Sequence, residues 1–187
     1  PSIKNFLTNP NNLLDMEKST LRTVEAIEKN EKIGIFGDYD VDGASSTALL
    51  GNYFNELNIN YEIYIPDRKK EGYGPSIKSF EELIKKKVKI IFTVDCGTLS
   101  FEAINFAKEK EIDVIVLDHH QSEIKLPRAF SIINPNRFDD NSNLQYLCAA
   151  GVAFMFLVSL NRALRSKDWF YKKNINEPNL INYLDLV

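Results

Sequence analysis

IGIFGDYDVDGASSTALL, residues 33–50, is the stretch whose reading decides the fold. Ile33 to Phe36 is a short apolar run without polar alternation, as a strand buried on both faces reads. It breaks into Gly37-Asp38-Tyr39-Asp40-Val41-Asp42-Gly43. Ala48, Leu49, Tyr53, Phe54 and Leu57 then recur at helical spacing. Strand, polar turn and amphipathic helix in that order make the first half of a βαβ unit.

The same grammar continues downstream. Further apolar runs occupy Tyr61–Ile65, Ile90–Val94, Val114–Leu117 and Phe130–Ile133. Between them lie the helical stripes Phe80, Leu83, Ile84 and Phe101, Ile104, Phe106, Ala107. The fold class expected is α/β: a five-stranded, mainly parallel sheet flanked by helices on both faces. The link from Leu117 to Phe130 contains Pro127 and reads as a loop or a brief helical turn. A long helix is expected from Leu147 to Leu164, where Ala149, Ala150, Gly151 and Ala153 permit close backbone approach. Asn134–Asn143 reads as a polar loop with turn chemistry. Upstream, Ser19 is the expected N-cap of a helix. Residues 1–18 read as an N-terminal arm and 19–187 as the domain. Near the end, Glu177-Pro178 is expected to open a helix running to Val187.

Composition narrows the class. The 187 residues are 44% hydrophobic and 26% charged, with Lys+Arg 23 against Asp+Glu 26 and a formal net charge of −3. That excludes disordered and collagen-like chains and argues against a protein that coats nucleic acid by bulk charge. No apolar run is long enough to span a membrane, and the first residues are polar rather than leader-like. Two cysteines, Cys96 and Cys148, make no disulfide framework, so a cytoplasmic location is expected.

Three polar clusters follow three different strands: Asp38 to Asp42 after the first, Asp95-Cys96-Gly97 after the third, and Asp118-His119-His120 after the fourth. In a parallel sheet these strand ends share one edge, where ligands bind at the point of reversed strand order. Five aspartates and both histidines of the chain would meet there. Two carboxylates about 4 Å apart repel by roughly 4 kcal/mol at an effective dielectric of 20, so the collection requires protons or cations. Oxygen donors with one or two imidazoles suit Mn²⁺ or Mg²⁺, with Zn²⁺ or Fe²⁺ as competitors. The arrangement points to a two-metal centre, ions about 3.5–4 Å apart, that acts on a phosphoryl group. Asp-X-Asp-X-Asp-Gly also opens a calcium-binding EF-hand loop, but that loop wants Glu at its twelfth position, and here it is Leu49. Each cluster alone has a plainer reading as a helix cap or a turn.

The motifs carry a resemblance. IGIFGDYDVDGASSTALL is similar to the first motif of the DHH phosphoesterase superfamily, and within it is closest to the RecJ-type single-strand exonucleases. Thr93-Val-Asp-Cys-Gly97 resembles the second motif and Leu117-Asp-His-His120 the third. Tyr64–Arg68, Glu71-Gly-Tyr-Gly74, Leu126-Pro127, Ile133-Asn-Pro-Asn136 and Ala150-Gly-Val-Ala153 also agree with RecJ-type proteins. The resemblance implies that Asp40 and Asp42 each bind one metal, that Asp95 bridges the pair and that His119 is a ligand. It implies that His120 contacts the scissile phosphate or helps the leaving oxygen while Asp118 orients it, and that Asp38 is a ligand or a supporting carboxylate. Where several relatives carry a histidine, this chain has Phe36. Ser45, Ser46 and Arg68 are candidate phosphate contacts, the serines because a helix N-terminus favours anions.

The implied cofactor is Mn²⁺ or Mg²⁺, two ions in the full-length enzyme. The implied activity is 5′→3′ degradation of single-stranded DNA in repair and recombination, by a monomer that meets single-strand-binding protein or other repair proteins and no membrane. Rival readings are a DHH phosphodiesterase acting on oligoribonucleotides or cyclic dinucleotides, and a non-catalytic replication scaffold. Tyr183–Val187 resembles the lead-in to a fourth motif. The expectation is therefore a piece of a longer enzyme, without that motif's aspartate, a DHHA1-type domain or an OB-type domain.

Overall fold

The computed structural model describes residues 8–187. In chain order the elements are α1 (Met16–Glu28), β1 (Ile33–Gly37), α2 (Val41–Glu56), β2 (Tyr61–Tyr64), α3 (Arg68–Glu71), α4 (Ile77–Lys85), β3 (Ile90–Val94), α5 (Phe101–Glu109), β4 (Asp113–Leu117), β5 (Ser131–Ile133), α6 (Ala149–Ser166) and α7 (Trp169–Lys173). Short 3₁₀ turns cover Pro10–Asn12 and Leu180–Leu186. The five strands form one sheet in the order β2-β1-β3-β4-β5, and every pairing is parallel. Ile33 sits opposite both Tyr61 and Ile90, and Ile90 opposite Asp113, so the strand ends are level and the polar clusters leave from one edge.

The apolar strands divide residue by residue between two cores, because successive strand side chains point to opposite faces. Ile33, Ile35, Ile90, Phe92, Ile115 and Leu117 pack with α1, α2 and α6. Phe36, Ile91, Val114 and Val116 pack with Phe80 and Leu83 of α4 and with Ala103, Ile104 and Ala107 of α5. Helix α6 is buried along most of its length and packs against both α1 and α2. The expected α/β sheet with helices on both faces is borne out.

Several local expectations are corrected. Helix α1 starts at Met16, not at Ser19. Ser19 lies inside it, its hydroxyl donating to the Asp15 carbonyl (2.8 Å) or lying 2.7 Å from the Ser131 hydroxyl. The residue before the helix is Asp15, with φ +63°. Its carboxylate accepts from the Ile132 N–H and from Arg137, which ties the chain entry to β5. Leu13 and Met16 are buried in the first core, so this part of the expected arm packs as domain; residues 1–7 lie outside the described residues. The link from Leu117 to Phe130 is a loop. The expected terminal helix is a 3₁₀ turn opened by Asn179 and anchored by Tyr183, whose hydroxyl donates to Glu56 (2.7 Å). Among the described residues no helix is long and apolar enough to cross a membrane.

Candidate metal centre

Strand β1 has β2 on one side and β3 on the other. Helix α2, after β1, covers one face, and α4, before β3, covers the other. The edge beyond β1 and β3 is therefore where strand order reverses and a crevice opens.

The loop after β1 turns sharply into α2. Asp40 caps that helix, one oxygen accepting from the Gly43 N–H (2.9 Å), which holds its carboxyl below the usual range. Gly43 lies so close to Asp38 that a Cβ would come within 2.7 Å of the Asp38 Cβ and carbonyl oxygen. Asp38 is thereby pressed under the helix start. Its Oδ1 is buried and accepts no hydrogen bond from the described residues, and burial raises its carboxyl. Asp42 reaches across to α6, accepting from the Ala149 N–H (2.8 Å) and the Ala150 N–H (2.7 Å). Each of its oxygens keeps a second acceptor site.

After β3, Asp95 adopts a left-handed conformation (φ +59°) that turns its carboxylate into the crevice. Asp95 is 1% exposed and its Oδ1 accepts no hydrogen bond from the described residues. Burial first, then the charges of Asp42 and Asp40, push its carboxyl up to about 8. Gly97 follows at φ +111°, where a Cβ would also collide with the Thr93 side chain.

After β4, Asp118 is equally buried yet fully engaged. Its oxygens accept from the N–H groups of Thr98 (3.1 Å), His119 (2.8 Å) and His120 (3.2 Å), and from His120 Nδ1 (2.7 Å). Burial works to raise this carboxyl, but the bonds from His120 and Thr98 outweigh it and hold it below the usual range. In return the hydrogen bond to Asp118, despite partial burial, lifts the His120 imidazole to about 9. His119 Nε2 lies 3.3 Å from Asp95 Oδ1 and 3.4 Å from Asp42 Oδ2.

Two sets of donor atoms lie within 4.8 Å of one another: Asp38, Asp40 and Asp95, and Asp95, His119 and His120. Asp95 is common to both. The residues fit a divalent cation on three counts: the donors are carboxylate oxygen and imidazole nitrogen, two buried carboxylate oxygens lack partners among the described residues, and Asp95 resists ionising without a counter-charge. Asp42 lies outside both sets, and its Oδ2 is 3.4 Å from His119 Nε2, beside the second. His120 Nδ1 is committed to Asp118, which leaves Nε2 as the nitrogen it can offer.

The other expected contacts divide. Arg68 stacks its guanidinium 5.0 Å over the Tyr39 ring, and its charge acts on Asp38, so it stands at the rim of the crevice. Ser46 is corrected: it is 0% exposed, so its hydroxyl has no open path to a phosphate. Two of the N–H groups at that helix start, those of Gly43 and Ala44, already donate to Asp40. Ser45 is half-buried and makes no side-chain hydrogen bond among the described residues. Asp185, in the segment that resembles the lead-in to a fourth motif, is exposed beside Asn52 and Asn55, roughly 20 Å along α2 from Asp42.

Sequence reasoning missed several participants. The Tyr73 hydroxyl donates to the Asp95 carbonyl (2.9 Å) and lies 3.3 Å from His120 Nδ1. Thr98, Asn134 and Asn136 bond to Asp118 or to the histidine backbones. The only signals were the Glu71-Gly-Tyr-Gly74 and Ile133-Asn-Pro-Asn136 segments, which agree with RecJ-type proteins but carried no role for these side chains.

The comparisons with known proteins agree with this geometry. The single-stranded-DNA-specific exonuclease RecJ of Haemophilus influenzae is 38% identical over 187 residues, all of this chain and 32% of its own length. A crystal structure of exonuclease RecJ bound to manganese matches with a TM-score of 0.78 at 28% identity, over 93% of this chain and 41% of that one. RecJ from Thermus thermophilus in complex with Mn²⁺ matches with a TM-score of 0.71 at 25% identity, over 93% of this chain and 23% of that one. The chain thus spans about a third of the length of the first curated relatives it matches. The resemblance to RecJ-type proteins is borne out. The family description "DHH family, N-terminal domain" matches residues 32–187, and the chain belongs to the DHH family.

Proposed function

We propose that this chain supplies the catalytic DHH domain of a metal-dependent phosphodiesterase that degrades single-stranded DNA from the 5′ end. The observation that carries the reading is the buried Asp95 carboxylate, which has one partnerless oxygen and is common to two clusters of metal-donor residues. The RecJ relatives support the substrate and the choice of Mn²⁺ or Mg²⁺. In this reading Asp38, Asp40 and Asp95 hold one ion, and Asp95, Asp42 and His119 hold the other. Bound there, such ions would supply Lewis acidity, to activate a water and to offset charge at phosphorus.

The chain's own residues do the rest. Asp118 fixes the His120 ring and keeps it protonated, so it can donate to a phosphate oxygen or to the leaving 3′-oxygen. Tyr73 packs edge-on against that ring and limits its movement. Arg68 at the rim is placed to meet a backbone phosphate. Single-strand-binding protein and other repair proteins are partners of the full-length chain in this reading, and its setting is the cytoplasm.

The test is nucleotide release from end-labelled single-stranded DNA with Mn²⁺ by the full-length parent protein. Asp95→Ala is expected to lower the rate by about 10³-fold or more. An unchanged rate overturns the assignment of Asp95. Preference for dinucleotides over long single strands favours the short-substrate rival, and unchanged cellular function with Asp95→Ala favours the scaffold.

A further inference from the structure

The loop carrying both histidines, from Leu117 to Phe130, contains no helix. Something other than secondary structure must hold it, and the segment following β5 does. Asn134 is 0% exposed. Its Nδ2 donates to the His120 carbonyl (2.9 Å) and to the Thr98 hydroxyl (2.8 Å), while its Oδ1 accepts from the Asn136 N–H (2.8 Å). The amide can face only one way, since a backbone carbonyl must meet the NH₂ end and a backbone N–H the oxygen end. Asn136 in turn donates through Nδ2 to the His119 carbonyl, and its own carbonyl accepts from Ser122 further along the same loop (3.0 Å).

We propose that Asn134 is a positioning residue for the histidine pair: with Asn136 it grips the two histidine carbonyls and sets where both imidazoles point. The rings of these histidines are half-exposed; Asp118 holds the His120 ring through Nδ1, and His119 faces Asp95 and Asp42 through Nε2. Whether each ring reaches those partners also depends on the backbone beneath, and both backbone carbonyls end on an asparagine amide. Thr98 links the same amide to the Asp118 corner, because the Thr98 N–H donates to Asp118 while its hydroxyl accepts from Asn134. One buried side chain thereby ties together the loops after β3, β4 and β5. The inference rests on the metal-centre reading above for its functional consequence, though not for its geometry.

The chain contains only two histidines, so its imidazole NMR spectrum holds two residues and reads the pair directly. Asn134→Ala is expected to shift or split both histidine signals and to weaken Mn²⁺ binding, measured by calorimetry, by about 10-fold or more. In the full-length protein it should lower kcat with little change in KM for a labelled oligonucleotide. Asn161→Ala is the control. That amide is also buried and bridges Tyr53 to Glu177, but it lies three turns further along α6. It should lower thermal stability and leave the histidine signals and Mn²⁺ affinity at wild-type values. If Asn134→Ala does not fold, Asn136→Ala removes the grip on His119 alone and should move that signal more than the other. Histidine signals and Mn²⁺ affinity as insensitive to Asn134→Ala or Asn136→Ala as to Asn161→Ala overturn the proposal. Should the wild-type chain bind no Mn²⁺, the metal reading fails and the histidine signals alone decide the positioning role.

Discussion

Asp95 and Asp118 follow adjacent strands, β3 and β4, and each is 1% exposed. Their surroundings are opposite. Asp118 takes three backbone N–H groups and a ring nitrogen, and stays ionised in a dry place. Asp95 has a partnerless oxygen and two carboxylate neighbours, and on its own ionises only near pH 8. Equal burial therefore says nothing about role. The donors around a carboxylate separate one that belongs to the scaffold from one that waits for a cation. Thr98 sharpens the contrast: it follows β3, just beyond Asp95 in the chain, yet its N–H serves Asp118.

That contrast can be broken from the Asp118 side first. Asp118→Ala leaves buried N–H groups without an acceptor and His120 without its partner, and should cost about 3 kcal/mol in urea denaturation at pH 7. On the Asp95 side, Mn²⁺ at about 100 times its Kd should stabilise the wild-type chain by about 2.7 kcal/mol. Asp95→Ala should abolish that gain in a thermal melt.

Proton linkage gives the next effect. The Asp95 carboxyl is raised in the folded, metal-stripped protein from an ordinary 3.8 to about 8. Its contribution to stability is therefore fully present below pH about 4 and is lost as pH rises through about 8. With chelator present, stability should fall steadily over that window, and Asp95→Asn should flatten the slope. Tyr73→Phe removes one hydrogen bond to the Asp95 carbonyl and should cost only about 1 kcal/mol, measured by the same melts.

How much of this was legible depended on how local the cause was. The strands could be read because each is a short apolar run bounded by polar turns, and the site could be read because a parallel sheet delivers its strand ends to one edge. Helix α1 starts earlier than its sequence suggests because Ser19 has the chemistry of an N-cap, whereas the burial of Leu13 and Met16 fixes the chain entry upstream of it. Ser46 is no phosphate contact because helical phase turns it inward. The Asn134 amide, Thr98 and Tyr73 act through partners 14 to 36 residues away, and no spacing in the sequence encodes such a bond. The clamp of Asp42 on the start of α6 spans 107 residues and was equally invisible.

The metal and pH effects trace to Asp95 as the proposed shared carboxylate of a divalent-metal centre. Anomalous diffraction from crystals of this chain grown with Mn²⁺ tests it most directly. Peaks are expected in the crevice with Asp95 Oδ1 within about 2.5 Å, flanked by Asp38 and Asp40 on one side and His119 on the other. Mn²⁺ found only on exposed surface carboxylates, with Asp95 Oδ1 unligated, would contradict it.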